Sequence, residues 1–199
     1  MKKKKLFFFL IFILGTVYLC LPAPKKFPDL PNSLRSTEPG DTIQIPGVSA
    51  YYTDTSRREV VDFYFKYFSR SPFWGIPLIT YKVNHPPERI REVLRETQQS
   101  TYVEEIIHPF RESVFVSGFE WENDPFTPPK SRIKNILLVD GKVYKFKVTL
   151  FYQESKLWQR LLIFYLSLFL FYLILEEYSK ILTKTFSIFK KMDKKDGKA

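Results

Sequence analysis

The sequence is poor in the residues that most sites depend on: one cysteine, two histidines and seven glycines among 199 residues. Cys20 alone can close no disulfide within the chain and build no cysteine-rich zinc site, so the fold must stand without cross-links, as a protein in an oxidising compartment can. The glycines are scattered singly. That removes the P-loop and the dinucleotide fingerprint, which need closely spaced glycines so that backbone N–H groups can approach a phosphate. The nearest match to a nucleophile elbow, Gly47-Val48-Ser49-Ala50-Tyr51, lacks its closing glycine. No Asn-x-Ser/Thr acceptor occurs, since Asn32, Asn84, Asn123 and Asn135 all lack a hydroxyl residue two places on, which fits a bacterial protein.

His85 and His108 are each followed by proline. Glu105-Ile-Ile-His108 has the spacing of carboxylate-bridged metal sites, in which a helix projects both ligands inward, but such a site takes a second copy and further carboxylates. On a strand, an offset of three puts the two side chains on opposite faces. An envelope hydrolase or metalloenzyme would have to gather His85, His108 and Glu105 into one cleft. Neighbouring acids such as Glu104 and Glu105, or Glu38 and Asp41, read as solvated charge. No catalytic residue, metal ligand or cofactor is assigned, and the reading leans away from an enzyme.

Charge of one sign is plentiful, with a net +10, but it is unevenly placed. Lys2, Lys3, Lys4 and Lys5 form a basic leader; Lys25, Lys26 and Arg160 add three; the tail after Leu175 carries seven lysines against four acids. The remainder, between residues 27 and 159, holds 17 basic and 17 acidic side chains. A nucleic-acid binder needs clustered positive charge facing phosphates, so no nucleic acid is expected as a partner.

The basic flanks border two apolar runs. Leu6 to Leu21, sixteen residues interrupted only by Gly15 and Thr16, follow the charged leader in the order of an export signal. The region before Ala23 lacks the small residues that cleavage needs, and Leu19 precedes Cys20 where a lipoprotein signal requires a small residue. The segment therefore reads as an uncleaved signal anchor. It is short for a hydrocarbon core of about 30 Å and relies on snorkelling lysines. The second run, Trp158 to Leu175, is apolar on every side except Ser167, whereas a soluble helix would keep a wet face. Trp158 suits the interface and Arg160 can extend its stem outward. Positive-inside topology then puts both termini in the cytoplasm and the middle outside. On a helix, Tyr178, Ile181, Leu182, Phe186, Ile188 and Phe189 fall on one arc and Lys180, Lys184, Lys190 and Lys191 on the other, the layout of an amphipathic helix lying on an anionic inner leaflet.

The domain boundaries are thus a basic leader at 1–5, a transmembrane helix at 6–21, a proline-rich tether at 22–48, an extracytoplasmic domain at 49–156, a second transmembrane helix at 157–175 and a basic amphipathic tail at 176–199. Within the domain, SAYYT reads as a strand. Ser56 and Glu59 form a capping box before a helix whose Val60, Phe63, Tyr64, Tyr67 and Phe68 recur at helical spacing. LITYKVN reads as a strand. Pro86 and Pro87 open a second helix with Ile90, Val93, Leu94 and Thr97 on one face. Strands follow at about 102–107 and 113–121. RIKNILLV and KVYKFKVTLFY form a hairpin about Asp140-Gly141, with Tyr144, Phe146, Val148, Leu150 and Tyr152 along one face.

The expected fold class is α+β: a small, mostly antiparallel sheet with two helices on one face, flanked by two transmembrane helices. The expected function is a two-span membrane protein of the cell envelope. It presents a binding or scaffold domain, with the bilayer and an envelope protein as partners. The alternatives are a sensor that signals through a separate cytoplasmic partner, and the hydrolase or metalloenzyme above.

Overall fold

The structure is a computed structural model that describes residues 2–39, 41, 46–90, 100–124 and 127–196, with side chains from Lys5 to Thr185. The chain divides into two compact units, Leu21–Ser155 and a helical unit made from Met1–Cys20 and Lys156–Ala199.

The first unit is α+β. Its strands are β1 (Ser33–Arg35), β2 (Val48–Thr53), β3 (Tyr81–His85), β4 (Tyr102–Ile107), β5 (Ser113–Glu120), β6 (Leu137–Val139), β7 (Lys142–Tyr144) and β8 (Phe146–Gln153). Six make one sheet in the order β1-β2-β8-β5-β4-β3, and β6 and β7 make a separate hairpin. Every described pairing between strands is antiparallel. The last long strand, β8, is inserted between β2 and β5, so the centre of the sheet is completed only when the end of the domain has been made.

Helix α2 (Arg57–Phe68) forms where its capping box predicts: the Ser56 side chain accepts from the Glu59 amide, and the Glu59 carboxylate accepts from the Ser56 amide at 3.1 Å. It buries Val60, Val61, Tyr64 and Phe68, while Tyr67 of the expected stripe stays 41% exposed. These side chains pack with Tyr51, Ile106, Val114, Val116, Val148 and Leu150 into the core. Alternation along the strands then assigns the opposite face to Tyr52, Val103, Glu105, Phe115, Lys147 and Phe151. Helix α3 is described over Pro87–Ile90; Val93, Leu94 and Thr97 lie outside the described residues.

Three expectations are corrected. The described residues of 22–48 are not a free tether: Leu30 is in the core, Phe27 packs against it, and β1 pairs with β2. Prolines in this stretch block helix but leave side chains free to cover the sheet, and Tyr51 Oη donates to Asp29 at 2.9 Å to hold it there. The first hairpin arm is shorter than expected, because Arg132–Asn135 belong to a 3₁₀ segment, Pro129–Asn135. The second arm breaks at Lys145, so Tyr144 leaves the face of Val148 and packs on Tyr52, with ring centroids 5.9 Å apart. The turn itself is as expected: Asp140 and Gly141 take φ of 50° and 76°, a pair of left-handed values that suits aspartate followed by glycine.

In the helical unit, α1 (Lys2–Cys20) and α4 (Leu157–Asp196) pack antiparallel: Phe8 meets Tyr172 at 5.1 Å and Phe12 stacks on Tyr165 at 5.0 Å. The Thr16 and Tyr165 hydroxyls are 3.1 Å apart. Gly15 leaves room for Phe164, whose ring end comes within 3.0 Å of where a Cβ would stand. Among the described residues one helix stretch, Leu157–Thr185, is long and apolar enough to cross a membrane, and α1 contributes a shorter apolar segment, Lys5–Cys20. The tail does not start a separate helix. No glycine or proline lies between Leu157 and Asp196, so α4 runs on through Glu176 and Glu177 for 40 residues, about 60 Å at 1.5 Å per residue.

Candidate functional site

Buried charge is densest at the turn that joins β4 to β5. His108, Arg111 and Glu112 are each wholly buried there. The turn closes on itself through His108 N–H to the Glu112 carbonyl at 2.9 Å and Arg111 N–H to the His108 carbonyl at 3.0 Å. Glu112 Oε1 accepts from His108 Nδ1 at 2.9 Å and faces Arg111 Nε at 3.0 Å. The carboxylate therefore fixes a proton on Nδ1 of the imidazole. The ring is clamped flat against Phe68 of α2, with centroids 3.8 Å apart and planes 7° apart. Nε2 of His108 is buried without a hydrogen-bond partner.

The same turn holds both ends of the sheet unit. Arg111 Nη2 donates to the Leu21 carbonyl at 2.6 Å, and the Arg111 carbonyl accepts from Ser155 Oγ. Nearby, Ser71 Oγ donates to the Pro22 carbonyl at 2.8 Å. Burying a charge is costly unless it is paired and hydrogen-bonded. Here that cost secures the two points at which the chain passes into α1 and α4. The contacts make the cluster a brace, tying the Leu21 and Ser155 ends of the unit to one turn.

The set that an envelope hydrolase or metalloenzyme would need is not gathered in one place. His85 pairs with Glu105 through Nε2 and Oε2 at 2.7 Å, whereas the β4 alternation puts Glu105 and His108 on opposite faces of the sheet. Among the described residues no three His, Cys, Asp or Glu side chains are grouped to hold a metal ion.

Two further polar clusters line clefts. Beside a cleft of about 310 Å³, Arg57 Nε donates to Glu104 Oε1 at 3.0 Å and Nη2 donates to Asn84 Oδ1 at 3.0 Å, while the guanidinium lies 4.7 Å above the Tyr102 ring. Tyr102 is buried opposite Gly118, and its hydroxyl has no hydrogen-bond partner among the described residues. Burial, with Glu120 adding to it, raises its pKa well above the ordinary tyrosine value. Beside a second cleft of about 540 Å³, Lys147 meets Asp41 at 2.8 Å and Glu38 at 3.3 Å. Burial alone would lower that ammonium, but the Asp41 contact outweighs it and the group stands above its usual value. In both clefts a basic side chain is held by a carboxylate, Arg57 by Glu104 and Lys147 by Asp41.

Of the residues expected at a membrane interface, Lys5 and Lys180 line a cavity of about 640 Å³ within the helical unit, together with Phe7, Phe8, Tyr172 and Leu182. Lys180 pairs with Glu177 at 2.6 Å. Trp158 is 60% exposed and Arg160 is buried. Lys184 is exposed on α4. Lys2, Lys3 and Lys4 belong to α1 and Lys190 and Lys191 to α4, with side chains outside the described residues. The buried brace went unread in the sequence. Its signal was HPFRE, three ionisable residues about a proline between two apolar strands, a turn too short to be supported by neighbours along the chain.

The chain matches no protein-family model, no curated protein and no solved structure.

Proposed function

We propose that this is a two-span integral membrane protein of a bacterial envelope. Both termini lie in the cytoplasm, and the 21–155 unit stands outside as a binding or scaffold domain rather than an enzyme. The observation that carries the reading is α4. Its 29-residue apolar stretch, Leu157–Thr185, has none of its most apolar window buried, which is stable in lipid and unfavourable in water. The antiparallel packing of α1 against α4, with a glycine at the contact and hydroxyls facing each other, is how short spans associate where no hydrophobic drive is available. The basic leader and tail supply the positive-inside orientation.

The test is cysteine accessibility in intact cells. In a Cys20→Ser background, a cysteine replacing the exposed Arg58 should label with an impermeant maleimide from outside. One replacing Lys184 should label only after permeabilisation. The opposite pattern, or release of the protein by alkaline carbonate, refutes the topology. Recovery of the protein alone from gently solubilised membranes would count against a stable envelope partner. The unbroken length of α4 also favours a relay to a cytoplasmic partner, which crosslinking of the tail in living cells would reveal.

A further inference from the structure

We propose that Phe73, Trp74, Ile79, Tyr81 and Phe110 form an apolar foot by which the sheet unit rests in the interfacial zone of the outer leaflet. The inference rests on the two-span reading and goes beyond it, because a tethered domain could equally stand clear of the lipid.

Exposed aromatics are not spread evenly over this unit. Trp74 is 87% exposed, Phe110 66%, Tyr81 58% and Phe73 47%. Of the described aromatics in the unit, only Tyr67 is comparably open, and its hydroxyl is engaged with the Lys26 carbonyl at 2.9 Å. Ile79 adds an aliphatic side chain that is 58% exposed.

All five sit where the chain enters and leaves the unit. Phe110 adjoins Arg111, which bonds the Leu21 carbonyl and accepts from Ser155. Phe73 and Trp74 stack at 4.8 Å on a loop closed by Ser71 N–H to the Ile76 carbonyl at 2.8 Å, and that same Ser71 bonds Pro22. Tyr81 pairs with Ile107 at the end of β4 that leads into the His108 turn, and Ile79 is two residues before it.

The backbone is committed to this display. Trp74 and Phe110 take φ of 54° and 62°, the left-handed region that is unfavourable for a large side chain, and Gly75 follows at 62°. Such conformations persist where surrounding structure enforces them, and at Phe110 the buried His108–Glu112–Arg111 brace does so. A strained backbone that pushes an aromatic ring into water is doubly unfavourable. The same backbone that pushes it into the headgroup region of a bilayer is compensated, since tryptophan, tyrosine and phenylalanine gain by leaving water and the amphipathic rings favour that depth.

Cys20 ends α1 one residue before Leu21, and α4 begins at Leu157, two residues after Ser155. At no more than about 3.5 Å per residue, Leu21 follows the end of α1 within about 4 Å and Ser155 precedes the start of α4 by at most about 7 Å.

The experiment uses the full chain reconstituted in vesicles of phosphatidylethanolamine and phosphatidylglycerol. Trp74 is made the sole emitter by Trp121→Phe and Trp158→Phe. The expected result is loss of Trp74 emission to lipids brominated near the glycerol end of the acyl chain, with loss of access to aqueous iodide. A parallel protein with Trp158 as sole emitter, through Trp74→Phe and Trp121→Phe, reads the span itself. If Trp158 is quenched by bromolipid and Trp74 remains open to iodide, the foot is overturned and the span stands. If Trp74 is shielded from both quenchers, protein covers it, a partner or a second copy, and the foot is again overturned. If neither tryptophan senses lipid, the two-span reading falls and the foot with it. A spin label at Phe110→Cys in Cys20→Ser, with all three tryptophans kept, provides the check free of tryptophan substitution. Greater access to oxygen than to a nickel chelate supports the foot, and the reverse overturns it.

Discussion

Replacing Gly118 by alanine should destabilise the sheet unit although it adds only one methyl group. Gly118 on β5 lies opposite Tyr102 on β4, and a Cβ there would stand less than 3.0 Å from Cε1, Cζ and Oη of the tyrosine. Tyr102 is 3% exposed, so the ring cannot swing into solvent without carrying its neighbours, and the Arg57 guanidinium 4.7 Å above it loses its seat. Overpacking costs about 1–3 kcal/mol, and loss of the cation–π contact adds roughly 0.5–1 kcal/mol. The sum, about 1.5–4 kcal/mol, corresponds to a melting point lowered by about 6–16 °C at roughly 4 °C per kcal/mol for a unit of this size. Thermal unfolding of the detergent-solubilised chain, followed by circular dichroism, measures it. The decisive comparison is with Tyr102→Ala, itself destabilising by about 3–5 kcal/mol as a large buried ring is removed. In that background, Gly118→Ala meets no ring and should stabilise by about 0.5–1 kcal/mol, because alanine loses less backbone freedom than glycine. An alanine at 118 that destabilises equally in both backgrounds would refute the steric argument.

Other substitutions probe the rest of the structure. Glu112→Ala leaves Arg111 and His108 buried without their carboxylate and should cost about 3–5 kcal/mol; a loss below about 1 kcal/mol in the same melting assay would show that water reaches the turn. Alkali should weaken the domain, because burial, followed by the Asp29 contact, pushes the Tyr51 hydroxyl up to about 12 and burial raises Tyr64 as well. The folded state holds these protons more tightly than the unfolded chain, whose tyrosines titrate near about 10. Stability is therefore full below about pH 10 and declines as pH rises toward 12. A melting point unchanged between about pH 9 and 12 would contradict this, and Tyr51→Phe should flatten the decline. Intact-mass measurement of the membrane-extracted protein should find the first segment retained, with Cys20 present; a mass beginning at or beyond Pro22 would remove the first span.

How much of this was legible from the chain depends on how local each cause is. The Ser56–Glu59 capping box, the alternation of Phe146 to Tyr152, the Asp140-Gly141 turn and the two apolar runs each depend on residues within a few positions of one another, so sequence alone determined the α2 start, the β8 faces, the β6–β7 turn and the apolar character of α1 and α4. Gly118 gave no such signal: its need for hydrogen in place of a side chain arises from Tyr102, sixteen residues earlier. Proline spacing made residues 22–48 look like a tether, because proline reports what a backbone cannot do and is silent on whether Phe27 and Leu30 find a core. Only the tertiary structure decided that they do, that β8 lies between β2 and β5, and that His108, Arg111 and Glu112 brace both chain ends. Those outcomes turn on contacts between segments far apart in the chain, whose free energy depends on which surfaces meet rather than on the composition of either one.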